Sequence, residues 1–153
     1  MNYACAAAIG AVSGLRSMTG PAIVATAVKT RRLNVDRTPL SWFESPKAIP
    51  IASALAIGEM IADKLPFMPD RIKPGSLAGR AVAGALCGYA VFSPRGKREA
   101  VIGAVVGASA ALAASWAGFE YRRRAPLPPI ASALIEDAVA AASGAFIIRQ
   151  LCA

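Results

Sequence analysis

Ala100 to Phe119 reads AVIGAVVGASAALAASWAGF, twenty residues without one charged side chain. At 1.5 Å per residue that is about 30 Å of helix, the thickness of a bilayer's hydrocarbon core. On either side, Lys97 and Arg98 precede the stretch and Arg122, Arg123 and Arg124 come after it. Lys and Arg at the ends of an apolar run are the usual flanks of a membrane segment. The whole chain has the matching composition. Of 153 residues, 56% are hydrophobic and only 17% charged, with a mean hydropathy of +0.49. The fold expected is a single all-α membrane domain, a bundle of about five spans at 4–28, 48–65, 77–93, 100–119 and 129–148. No Lys or Arg precedes the first apolar stretch and Arg16 interrupts it, so it reads as a span and not as a signal peptide.

The net charge of +8 raises nucleic acid as a partner. The basic runs (Lys29 to Arg32, Arg95 to Arg98, Arg122 to Arg124) sit at span ends, where they orient the chain and meet lipid phosphates. Aromatics interleaved with basic residues are missing, so the partner expected is the lipid bilayer and not nucleic acid. Counting Arg80 with the second and fourth connections, seven basic residues face nine on the other side. With five spans, that bias places the N-terminus outside and the C-terminus in the cytoplasm. Cys5, Cys87 and Cys152 lack metal-ligand spacing and read as packing residues.

Two strings recur. Pro-Ile-Ala-Ser-Ala-Leu occurs at 50–55 and at 129–134, each followed by acids: Glu59 and Asp63, then Glu136 and Asp137. Upstream, Ile9-Gly10-Ala11-Val12 echoes Ile102-Gly103-Ala104-Val105. The halves expected are about 4–65 and 100–149, joined by a connector span at about 77–93. Three crossings between equivalent starts make this an inverted repeat, the arrangement of many secondary transporters. Three Gly pairs at i, i+4 (Gly10 and Gly14, Gly84 and Gly88, Gly103 and Gly107) predict close helix packing, and a homodimer through any groove left free.

Ionisable residues within apolar segments are the candidates for function. Arg16 and Ser17 lie in Gly14-Leu15-Arg16-Ser17-Met18-Thr19-Gly20-Pro21. Burying an arginine at mid-span costs about 2.5–3.5 kcal/mol, and Gly20-Pro21 after Gly14 predicts a broken helix. Glu59 and Asp63 share a helix face. Glu136 and Asp137 are about 100° apart, with Glu136 expected to face inward. Four interior acids against Arg16 and a peripheral Arg80 leave an excess of two. Protonation, a bound cation or water contact would relieve that excess.

The chain has no His, which removes Ser-His-Asp and Cys-His catalysis. It carries neither a phosphate-binding loop nor a dinucleotide fingerprint. Paired carboxylates acting on a lipid with Mg²⁺ are the one enzymatic route left; the reading preferred is not an enzyme, with no cofactor. It is a small transporter or channel for an ion or solute, with a scaffold or complex subunit as the rival.

The order Gly14 to Pro21, Gly58-Glu59 with Asp63-Lys64-Leu65-Pro66, Arg80 with Gly84 to Gly88, and Leu134 to Asp137 resembles a family of small bacterial integral membrane proteins. It is catalogued as domain of unknown function 4126. The resemblance spans nearly the whole chain and implies an all-helical inner-membrane protein. It implies no activity, substrate or catalytic residue.

Overall fold

A computed structural model describes residues 3–35, 38–62, 74–124 and 128–150. It contains six α-helices: α1 Tyr3–Leu15, α2 Thr19–Lys29, α3 Ala48–Ala62, α4 Pro74–Phe92, α5 Lys97–Arg124 and α6 Pro129–Gln150. Two 3₁₀ turns, Ser41–Glu44 and Ser93–Arg95, complete the order. Among the described residues there is no strand.

The first apolar segment is two helices. Arg16 N–H donates to Val12 O at 2.8 Å, closing α1, and Thr19 N–H donates to Arg16 O at 3.2 Å across the turn. Pro21 explains the break's position. In an uninterrupted helix its ring would strike the carbonyl of Ser17, whereas in the first turn of α2 its missing N–H costs nothing. Beyond the break the chain reverses. Gly20 packs directly against Ser13 and Cys87, although seven residues of continuous helix would set Gly20 about 10 Å beyond Ser13. Further along α2, Ile23 meets Gly144 of α6, and Ala27 and Val28 join the same buried cluster as Val91 and Phe92. α1 and α2 form a helical hairpin with Arg16, Ser17 and Met18 at its tip. Its far foot closes at Arg31, which takes a left-handed φ of 56° while Arg32 N–H donates to Ala27 O at 2.9 Å. This is a helix-ending motif more often given to glycine.

α1, α4 and α5 form the centre. Gly10 rests on Gly107 and Gly14 on Ala111, so α1 and α5 run in the same direction. Gly84 meets Gly107 and Gly88 meets Gly103, so α4 runs against α5. Backbone meets backbone at these points because no Cβ intervenes. The pairing expected from sequence, first segment against 100–119 in opposite senses, is therefore corrected: those two helices are parallel. The expected single span at 4–28 is likewise corrected to a hairpin. At the hairpin's open end, Tyr3 stacks on Phe92 at 4.8 Å and donates its hydroxyl to Glu99 at 2.7 Å.

α3 packs on α2, and α6 lies across α1 and α2. The outward faces stay apolar: Val101, Val105, Leu112 and Trp116 of α5, and Ile130, Leu134, Val139 and Phe146 of α6, are exposed. Apolar area of this extent marks a surface made for something other than water. Among the described residues, two helical stretches, Pro74–Arg95 and Lys97–Arg124, are long and apolar enough to cross a membrane.

Candidate functional site

The hairpin reversal strands backbone groups that a continuous helix would pair. Three elements supply partners. Glu59, on α3, places Oε1 at 2.9 Å from Ser17 N and 2.8 Å from Ser17 Oγ. Its Oε2 accepts Met18 N–H at 2.9 Å. The carboxylate thus caps the N-terminal end of α2, where unpaired N–H groups and the helix dipole favour negative charge. On the other side of the turn, Arg80 Nη1 of α4 donates to Gly14 O at 2.8 Å. Ser115 Oγ of α5 lies 2.9 Å from the same carbonyl and 2.7 Å from Ala111 O. A guanidinium at the C-terminal end of α1 is the complementary arrangement, positive charge on a carbonyl end.

Arg16 is fully buried and pairs with Asp137 of α6, whose side chain is 14% exposed. One residue earlier, Glu136 receives Arg122 in a two-point grip, Nε to Oε1 at 2.9 Å and Nη2 to Oε2 at 2.7 Å. Glu136 is the more buried of the two acids, as expected, but its partner is on α5. Asp137 is the acid that reaches the hairpin. The reason is the 100° step between them, with α6 lying between α5 and the hairpin. Thr19 Oγ1, at the first residue of α2, is buried with no hydrogen-bond partner among the described residues.

Of the residues singled out from sequence, Arg16, Ser17, Glu59 and Asp137 meet at the tip. Gly14, Gly20 and Pro21 shape it. Glu136 stands beside it, and Asp63 lies outside the described residues. Sequence reasoning placed Arg80 at the periphery and Arg122 among the topology-setting charges, and passed over Ser115. The signal for Arg80 was present: an arginine between Gly79 and Gly84 of an apolar helix must find a partner inside. Arg122 reaches back from the last turn of α5, so its end-of-span position concealed an inward role. With both included, the described interior holds three acids (Glu59, Glu136, Asp137) against three arginines (Arg16, Arg80, Arg122). The excess of acids expected from sequence disappears among these residues. No group of three or more metal-ligating side chains occurs among the described residues.

The chain belongs to the DUF4126 family, a domain of unknown function. The family model matches residues 3–148, so the hairpin and every helix that holds its tip fall within the DUF4126 region. No curated protein and no solved structure matches the chain.

Proposed function

We propose that this DUF4126 protein is a multi-pass protein of a bacterial inner membrane that conducts a small ion or solute past the hairpin tip. In this reading α3 to α6 cross the bilayer and α1–α2 is a re-entrant hairpin. Its tip lies near mid-depth. Gly14 sits on Ala111, fourteen residues into α5, or about 21 Å along a helix of about 42 Å. Non-helical backbone at that depth is tolerated where protein or a water-filled cavity surrounds it.

The observation that carries the proposal is the self-liganded turn. Glu59 occupies the place an anion takes at a helix N-terminus, and Arg80 the place a cation takes at a helix C-terminus. Transport proteins use such mid-membrane helix ends to hold substrates and coupling ions. A proton on Glu59 weakens its grip on two N–H groups and frees the end of α2, which makes Glu59 the group that couples protonation to tip movement. Further support comes from element directions. α3 and α6, which carry the two hexapeptide copies, flank the tip in opposite senses. α1 opposes α4, with Ser13 Oγ 3.7 Å from Cys87 Sγ between them. We read the repeat as α1–α3 against α4–α6, in place of 4–65 against 100–149.

Purified protein in liposomes, screened for proton and small-ion flux under an imposed potential, tests this. Flux in the wild type that Glu59→Gln abolishes, with the protein still folded, is the expected result. The balance of three interior acids and three arginines favours a second reading, a membrane scaffold or complex subunit with structural ion pairs. Absence of flux across a broad ion panel, with Glu59→Gln only lowering the melting temperature, selects that reading.

A further inference from the structure

Between α3 and α4 a second feature runs from the hairpin's open end toward its tip. It is an apolar groove of about 220 Å³, walled by Ile51 and Leu55 of α3 and by Val82 and Leu86 of α4, with Met18 and Pro21 as its floor. The four wall residues are substantially exposed because α3 packs on α2 rather than on α4. Trp42, exposed and stacked on Phe43 at 4.3 Å, stands at the groove's outer end. Ring systems of this kind favour the boundary between headgroups and acyl chains.

The charge at that mouth identifies the occupant. Lys47 precedes α3 by one residue, and its carbonyl accepts Ile51 N–H at 3.1 Å, so Lys47, Ile51 and Leu55 succeed one another at four-residue spacing along one face. Lys29 and Arg31 end α2 at the same end of the bundle and are exposed like Lys47, with Glu44 exposed on the 3₁₀ turn before α3 and lining a separate pocket with Arg31. A ligand fitting this arrangement has an anionic head at Lys47 and a hydrocarbon tail between α3 and α4. We infer that the groove binds one acyl chain of an anionic phospholipid, whose headgroup is held by Lys47 and whose tail ends under the hairpin tip at Met18. This rests on the membrane reading above but not on transport. A lipid seated there touches the same turn that Glu59 caps, and so links bilayer composition to the state of the hairpin.

Trp42 is the reporter. In a Trp116→Phe background it is the only tryptophan of the chain. The protein is reconstituted into phosphatidylcholine vesicles containing phosphatidylglycerol, with bromine on the acyl chains of either lipid in turn, and checked by flotation. The expected result is quenching of Trp42 by brominated phosphatidylglycerol at about fivefold lower mole fraction than by brominated phosphatidylcholine, the factor one lysine contributes near an anionic surface. Lys47→Gln should erase the difference, and Val82→Phe, which fills the groove from an exposed position, should reduce quenching by both lipids. Equal quenching in the wild type, or a preference that survives Lys47→Gln, overturns the inference; so does weak quenching with Trp42 shielded in a cross-linked pair of chains. Failure to float with the vesicles sinks the membrane reading itself, a separate result.

Discussion

At the scale of single residues, two neighbouring acids on α6 do different work, and substitution should separate them. Asp137 faces a fully buried guanidinium, whereas Arg122, the partner of Glu136, is 27% exposed. Removing one member of a buried pair typically costs about 3–5 kcal/mol, because the remaining charge stays away from water. A partly exposed partner recovers solvation. Asp137→Asn should therefore lower thermal stability in detergent far more than Glu136→Gln; equal losses would contradict the assignment of Arg16 to Asp137. Which arginine each acid would meet was not legible from sequence. Adjacent positions on a helix differ by 100°, and only the seat of α6 between α5 and the hairpin decides which face meets which arginine.

At the scale of elements, the glycines divide into those that let helices touch and those that do not. Gly107 is the node: α1 reaches it through Gly10, and α4 through Gly84 and Gly88. A methyl group there pushes into the backbone of Gly84, and overpacking of a tight contact costs about 1–3 kcal/mol. Gly58 of α3 has nothing within 4 Å of where its Cβ would be. Replacing an unconstrained helical glycine by alanine gains up to about 1 kcal/mol. Gly107→Ala should lower the melting temperature and Gly58→Ala should raise it or leave it unchanged, as a thermal-shift assay on the two variants can show. The i, i+4 glycine pairs were readable in the sequence because close packing needs small residues at that spacing. So was the interruption near Arg16, since Pro21 forbids a continuous helix. The reversal was not, because a run of apolar residues with a break has the same composition whether the second helix continues or doubles back. The contact of Gly20 with Ser13 settles the direction, and it is a tertiary fact.

At the scale of the whole molecule, the proposed membrane reading, with α1–α2 as a re-entrant hairpin, changes the count of crossings from odd to even. Tyr3, the 93–96 turn and the last turns of α6 then belong to one end of the bundle. The sequence assigns to that end Lys29, Arg31, Arg32, Arg37, Lys47, Arg95, Lys97, Arg98 and Arg149. In the sequence the opposite connections hold Lys64, Arg71, Lys73, Arg123 and Arg124, since Arg80 and Arg122 both turn inward. In that proposed reading, the preference of basic connections for the cytoplasm predicts both termini there. Reporter fusions to the N- and C-termini should both be active in the cytoplasm; opposite locations would restore the five-crossing arrangement.

The hairpin also bears on how the protein is made. In the proposed membrane reading its two feet stand on the same side, so no polar chain would have to be carried across the bilayer to put Arg16 at mid-depth. Insertion machinery would then need to thread four segments and could leave the fifth to fold in afterwards, once Glu59, Arg80 and Asp137 are in place to receive it. A segment that precedes α3 to α6 in the chain would then settle after them.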